Sequence, residues 1–88
     1  MNVDQKVIDR LSELIRLGEQ LKQRLIRQEN INQLHATWKV SSQAVLRQTF
    51  GEDSEYFTSF RDYRSFNQAS SIIPRLGILE AAQYGIGF

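Results

Sequence analysis

The first third of the chain carries the clearest alternation of apolar and polar positions. Between Val3 and Gln28, apolar residues recur at steps of three and four, and a glycine fills one place in the series: Val7, Leu11, Leu14, Gly18, Leu21 and Leu25. Such a repeat places side chains on one face of an α-helix and approaches a heptad seam. The pattern predicts a helix of about 25 residues, roughly 37 Å long at 1.5 Å per residue.

A second helical pattern begins near Asn30, which can cap a helix, and ends at Phe50. The stripe of apolar residues in this segment is interrupted at Ser41 and Ser42. Two interpretations are open: a continuous helix that contains small polar residues, or a break at which one of the serines caps a second piece. We favour the continuous helix. Gly51 follows the last apolar residue and predicts its end.

Two further helices are predicted from capping residues and aromatic spacing. Asp53 or Ser54 can cap a third helix that ends near Ser65. Its apolar face is aromatic: Tyr56, Phe57, Phe60 and Tyr63, with Phe66 one turn further on. Pro74 suits the start of a short fourth helix ending near Tyr84, because its missing N–H is harmless there. The sequence thus predicts a single all-α domain over 1–88, a small helical bundle with a long N-terminal helix, two main helices and a short C-terminal helix.

Composition and charge narrow the classes of function. The 88 residues contain 11 Lys and Arg against 10 Asp and Glu, and a net charge of +1 indicates neither a nucleic-acid nor a membrane partner. The absence of cysteine removes disulfides, thiol nucleophiles and cysteine-based metal sites, and it favours a cytoplasmic location. No apolar run approaches the roughly 18 residues that span a bilayer, so we expect no membrane partner.

Candidate catalytic and metal-binding groups are sparse. His35 is the single histidine, and no Cys, Asp or Glu stands three or four residues from it, so helical metal-ligand spacing is absent. Asp9 and Glu13 share a helix face but alternate with basic residues, which is typical of a solvated face. We therefore expect no enzymatic activity and assign no catalytic, metal or cofactor-binding residue.

Nucleic-acid binding is the alternative function. Basic residues cluster in the second half of the first helix and again near the aromatic segment: Arg16, Lys22, Arg24, Arg27, Arg61, Arg64 and Arg75. Arginine beside aromatic rings can bind single strands by charge and stacking. However, cations near a helix C-terminus also complement the helix macrodipole, and aromatic residues at helical spacing are typical of a core rather than of a ligand pocket. Association with protein is therefore the preferred interpretation, ahead of nucleic-acid binding and of a small-molecule sensor.

The order of motifs in the second half of the chain resembles that of a protein class. Trp38, Leu46, the run Phe50-Gly51-Glu52-Asp53-Ser54, Phe60 and the run Gly77-Ile78-Leu79-Glu80-Ala81 carry this resemblance. It covers about residues 38–82 and is to helical N-terminal domains that precede effector domains in bacterial defence or signalling proteins. The resemblance implies a small adaptor or oligomerisation module, with no catalytic residues in this region.

The length of the first helix predicts self-association. An 88-residue globule is only about 25–30 Å across, so a helix of roughly 37 Å would leave apolar surface uncovered. Two-fold dimers are the commonest way to cover such a surface. We therefore expect a homodimer whose interface includes Leu14, Leu21 and Leu25, with Gly18 at a close crossing of the two chains, and we expect Leu21→Glu to split it.

Overall fold

The computed structural model describes residues 2–63 and 71–86, and within them the chain is all α-helical, without a β-strand. The helices are α1 (Asn2–Ile26), α2 (Asn32–Phe50), α3 (Glu55–Asp62) and α4 (Ile72–Ile86). The predicted all-α bundle is confirmed. Arg64, Ser65 and Phe66, on which part of the sequence analysis depends, lie outside the described residues.

The ends of α2 follow local capping chemistry. The side-chain oxygen of Asn30 accepts a hydrogen bond from the backbone N–H of Asn32 at 3.1 Å, where the helix begins. At the other end Gly51 has a φ of 92° and donates its N–H to the carbonyl of Arg47 at 2.9 Å. A positive φ strains residues that carry a Cβ atom, so glycine suits this position. Between these ends α2 is continuous through Ser41 and Ser42, as predicted.

The lengths of α3 and α4 differ from the prediction. Ser54 caps α3 by accepting from the N–H of Tyr56 at 3.1 Å, but α3 has only 8 residues and ends at Asp62. Helix α4 has 15 residues and begins at Ile72, so the short helix is the third and not the fourth. Pro74 lies inside the first turn of α4, where a backbone N–H has no partner within the helix in any case.

The helices surround one core. Helix α1 packs against α2 and α4, and α3 packs against α2 and α4 on the other side. Gln83 of α4 binds near the start of α1, donating to the carbonyl of Ile8 at 3.0 Å, while Leu76 of α4 lies beside Gly18. The two helices are therefore antiparallel. The bundle is 42 Å long and 23 × 19 Å in section, so α1 is no longer than the domain and the expected mismatch in length does not arise.

The seam of α1 is covered by the chain itself. Leu14 is 1% exposed and Leu21 is 8% exposed, and both belong to the core, against which Leu25 also packs. A Cβ atom built on Gly18 would lie 2.5 Å from Cδ2 of Leu76 and 2.8 Å from Cζ2 of Trp38. Gly18 is thus at a close crossing within one chain. This corrects the crossing of two chains expected at Gly18, because Leu76 and Trp38 of the same chain occupy that position. Leu14 and Leu21 keep at most 8% of their surface exposed, so they offer little area to a second copy.

Candidate interaction surfaces

A groove runs along the outside of the bundle between α1 and α2. Its volume is about 370 Å³. It is lined by Arg10, Glu13, Leu14, Leu17, Gln20, Leu21, Arg24, Leu34, Thr37, Trp38 and Ser41. Leu17 and Leu34 stand on opposite sides of it and are 37% and 45% exposed. We call this surface the α1–α2 groove. The α1 residues that line it recur at helical spacing, so the groove follows the helix for about 21 Å at 1.5 Å per residue.

The floor of the α1–α2 groove is fixed by a buried hydrogen bond. The indole N–H of Trp38 donates to the carbonyl oxygen of Leu14 at 2.8 Å. The indole ring also packs against the ring of Phe60 in the core, with centroids 5.6 Å apart. A buried tryptophan usually needs such a partner for its N–H. Trp38 is thereby held in one position, and the groove has a rigid apolar floor.

The charged residues along the α1–α2 groove take part in ion pairs. Arg10 and Glu13 form an ion pair of 3.1 Å at one end. Near the other end Arg24 pairs at 3.0 Å with Glu29, which follows α1. The polar residues that α2 contributes to the lining are the small Thr37 and Ser41. The groove is therefore apolar at its centre, and its lining carries a net charge of only +1, from Arg10 and Arg24 against Glu13.

A second and larger depression lies on the other flank of α2. Its volume is about 610 Å³. It is lined by His35, Ala36, Lys39, Val40, Gln43, Arg61, Asp62, Tyr63, Ser71 and Arg75, which come from α2, the end of α3 and the start of α4. We call it the cationic cleft. Because a helix turns 100° per residue, these α2 positions project about half a turn away from those in the α1–α2 groove.

His35 is buried in the wall of the cationic cleft. It is 5% exposed, and its Nε2 atom has no hydrogen-bond partner within the described part of the chain. Burial, together with the positive charges of Arg75 and Lys39, holds the pKa of His35 below its usual 6.5. The fold therefore favours the neutral imidazole. No role was predicted for this histidine, because the spacing of residues along the sequence does not show that its side chain is buried.

Arg75 closes the end of α3. It is 3% exposed, and its guanidinium donates to the carbonyl oxygens of Phe60 at 2.7 Å and Tyr63 at 3.1 Å, and to the hydroxyl of Ser71. A helix end leaves carbonyl groups without intrahelical partners, and a cation there also complements the macrodipole. This contact supplies a donor to carbonyl groups that the end of α3 leaves without a helical partner. Arg75 is thus part of the structure and not of a nucleic-acid surface.

The other basic residues considered for nucleic-acid binding are partly neutralised. Lys22 pairs with Glu19 at 3.0 Å, and Arg61 pairs with Asp62 at 2.7 Å. The described basic residues do not form one stripe, because Lys22 lies on α1 and Arg61 at the end of α3. The described basic residues are therefore divided between different helices, and these ion pairs reduce the charge that Lys22 and Arg61 offer to nucleic acid.

The aromatic residues of the third segment mainly fill the core, as expected. Phe57 and Phe60 are buried, and the ring of Tyr56 packs against that of Phe50 with centroids 4.9 Å apart. The sequence did not predict that Leu17 and Leu34 form part of an interaction surface. The signal was present, since Leu17 lies outside the seam of α1. It could not be interpreted without knowing which helix covers that seam.

Across residues 2–63 and 71–86, no group of three or more His, Asp or Glu residues is placed to hold a metal ion. None of the helices in that part of the chain is both long and apolar enough to cross a membrane. The chain matches no protein-family model, no curated protein and no solved structure. The resemblance to N-terminal domains of defence or signalling proteins therefore stays a prediction.

Proposed function

We propose that this chain is a non-enzymatic association module that forms a homodimer through the α1–α2 groove. The observation that carries the proposal is the pair Leu17 and Leu34, two exposed leucines on either side of an apolar groove with a fixed tryptophan floor. This surface replaces the interface first expected on the seam of α1. The role is the same, but the exposed residues that perform it are Leu17 and Leu34, while Leu14 and Leu21 only line the groove.

Helix packing favours a second copy as the occupant. In a two-fold dimer the same patch lies on both subunits, so each copy presents two antiparallel helices to the two helices of the other. Four helices arranged in this way form a bundle, in which a leucine from one pair fills the groove of the other. Leu17 and Leu34 would lose their contact with water on both copies at once, which is a favourable change.

The charges of the surface also favour self-association. Two copies bring identical surfaces together, so a surface with a large net charge repels itself. Here Arg10 is paired with Glu13, and Arg24 is paired with Glu29. The lining of the groove holds two cations, Arg10 and Arg24, and one anion, Glu13, so each copy presents a net charge of only +1 and the repulsion between copies is small. An apolar surface with so little charge is, by the same argument, a poor site for nucleic acid.

Light scattering after size exclusion tests the proposal. We expect the wild-type chain to have twice its mass of 10.2 kDa, at low and at high salt. Leu17→Glu and Leu34→Glu are expected to give the monomer mass with unchanged helical content, because each places an unpaired carboxylate in the interface. Val40→Glu is the matched control, since Val40 is 66% exposed on the other flank of α2, and it is expected to remain a dimer.

Three results would contradict the proposal. A wild-type chain that is monomeric at every concentration would show that no homodimer forms. Equal dissociation by Val40→Glu and Leu34→Glu would mean that the groove is not the specific interface. A dimer that dissociates in high salt would indicate a charged surface elsewhere.

A further inference from the structure

The cationic cleft carries an excess of positive charge. Its volume of about 610 Å³ lies in the range of roughly 300–1,000 Å³ that is usual for small-molecule sites. Three of its described lining residues are cations, Lys39, Arg61 and Arg75, and one is an anion, Asp62, so the lining has an excess of two positive charges with His35 neutral. A concave surface lined by one sign of charge concentrates ions of the opposite sign.

Two of these three cations have no carboxylate partner among the residues that the structure describes. Both carboxylate oxygens of Asp62 accept from Arg61, at 2.7 and 2.9 Å. The hydrogen bonds of Arg75 go to carbonyl oxygens and to a hydroxyl, none of which carries a full negative charge. Lys39 makes no ion pair with any residue that the structure describes. Among the lining residues that the structure describes, two positive charges are therefore left without a carboxylate partner.

The same cleft offers apolar surface beside the cations. Val40 is 66% exposed and Tyr63 is 41% exposed, and both line the cleft. His35 lies in its wall with an Nε2 atom that has no hydrogen-bond partner in the described part of the chain. A buried polar atom without a partner is uncommon in proteins and calls for an explanation. The cleft thus combines positive charge with a smaller apolar patch, which suits a ligand that has an anionic group and an apolar body.

We propose that the cationic cleft binds a small organic oxyanion, a phosphate or carboxylate with an apolar body. Lys39 pairs with the anionic group, the positive charge of Arg75 adds to its attraction, and Val40 and Tyr63 contact the apolar body. This site is separate from the α1–α2 groove, and its ligand binding does not depend on the dimer.

Binding of an anion is coupled to His35. An anion beside Lys39 and Arg75 offsets the two charges that disfavour the imidazolium form of His35, so it raises the pKa of this side chain. By linkage, the ligand then binds more tightly as the pH falls through the range in which His35 titrates. A ligand bound elsewhere on the surface would not produce this pair of effects.

Nuclear magnetic resonance titration in phosphate-free buffer tests the proposal with three probes. Phenyl phosphate has both the anion and the apolar body, inorganic phosphate has only the anion, and phenol has only the ring. We expect phenyl phosphate to bind most tightly, with a Kd on the order of 1 mM. We expect its binding to raise the pKa of His35, and Lys39→Gln to weaken it about tenfold, which is usual for loss of a charge-assisted contact.

Lys6→Gln is the control, because it removes the same charge from an exposed position on α1 outside the cleft, and it is expected to change the Kd less than twofold. The dimer-breaking variant Leu34→Glu is expected to bind phenyl phosphate as the wild-type chain does, which separates this proposal from the proposed function. Phenol binding as tightly as phenyl phosphate would overturn the proposal. So would equal losses in Lys6→Gln and Lys39→Gln, no detectable binding of phenyl phosphate, or an unchanged pKa of His35 in its presence.

Discussion

Gly18 and Gly77 provide a paired test of how α1 is covered. Both lie inside helices, where replacing glycine by alanine stabilises by about 1 kcal/mol if nothing else changes. A Cβ atom on Gly77 meets nothing within 4 Å. A Cβ atom on Gly18 would lie 2.5 Å from Leu76 and 2.8 Å from Trp38, closer than carbon atoms pack. The same substitution should therefore act in opposite directions at the two sites.

The structure sets the size of the effect at Gly18. Overpacking a well-filled core costs about 1–3 kcal/mol. The upper part of that range applies here, because the hydrogen bond of Trp38 to the carbonyl of Leu14 restrains the indole and Leu76 is only 3% exposed. Subtracting the gain in helix propensity leaves a net loss of about 1–2 kcal/mol for Gly18→Ala. Gly77→Ala is expected to gain up to about 1 kcal/mol.

Thermal unfolding followed by circular dichroism measures both changes. For a domain of this size, 1 kcal/mol shifts Tm by about 4–8 °C. We expect Gly18→Ala to lower Tm by about 4–16 °C and Gly77→Ala to raise it by up to about 8 °C. If Gly18→Ala raised Tm as Gly77→Ala does, α2 and α4 could not pack on α1 as described. The seam of α1 would then be open to a second copy after all.

Two further predictions concern buried polar residues. Arg75→Met should lower the free energy of unfolding by roughly 3 kcal/mol, because it leaves the carbonyls of Phe60 and Tyr63 without a donor. Chemical denaturation measures this change. A loss below about 1 kcal/mol would contradict the role given to Arg75. His35 has its pKa lowered by folding, so its contribution to stability is complete above pH 6.5 and declines as the pH falls below that value. We expect His35→Gln to lose less stability than the wild-type chain between about pH 7.5 and pH 5.5, and equal losses would contradict the burial of a neutral imidazole.

The helices of the first half were predictable because their signals are local. The spacing from Val7 to Leu25 sets the buried face of α1, and Gly51 marks the end of α2 by its backbone conformation. Ser54 was one of two candidate caps for α3, and a hydrogen bond to the N–H of Tyr56 identifies it as the cap. In each case the residues that decide the outcome lie within one or two turns of each other.

The errors have a common physical origin in contacts between distant residues. A periodic pattern tells which face of α1 is buried but not whether the same chain or a second one buries it, and Gly18 proves to face Leu76, far along the sequence. At the end of α3, the carbonyl of Phe60 accepts a hydrogen bond from Arg75, which lies 15 residues later in the sequence. The candidate groove could not be predicted for the same reason, since Leu17 and Leu34 become neighbours only when α1 and α2 pack.

If two copies meet through the α1–α2 groove, contacts between the copies should be detectable at the exposed leucines Leu17 and Leu34. In a mixture of isotope-labelled and unlabelled chains, filtered nuclear Overhauser spectra detect contacts between copies alone. We expect such contacts for the methyl groups of Leu17 and Leu34 and none for Leu79, which is fully buried on α4 and does not line the groove. Contacts between copies at Leu79, or at Val40 on the other flank of α2, would contradict this dimer.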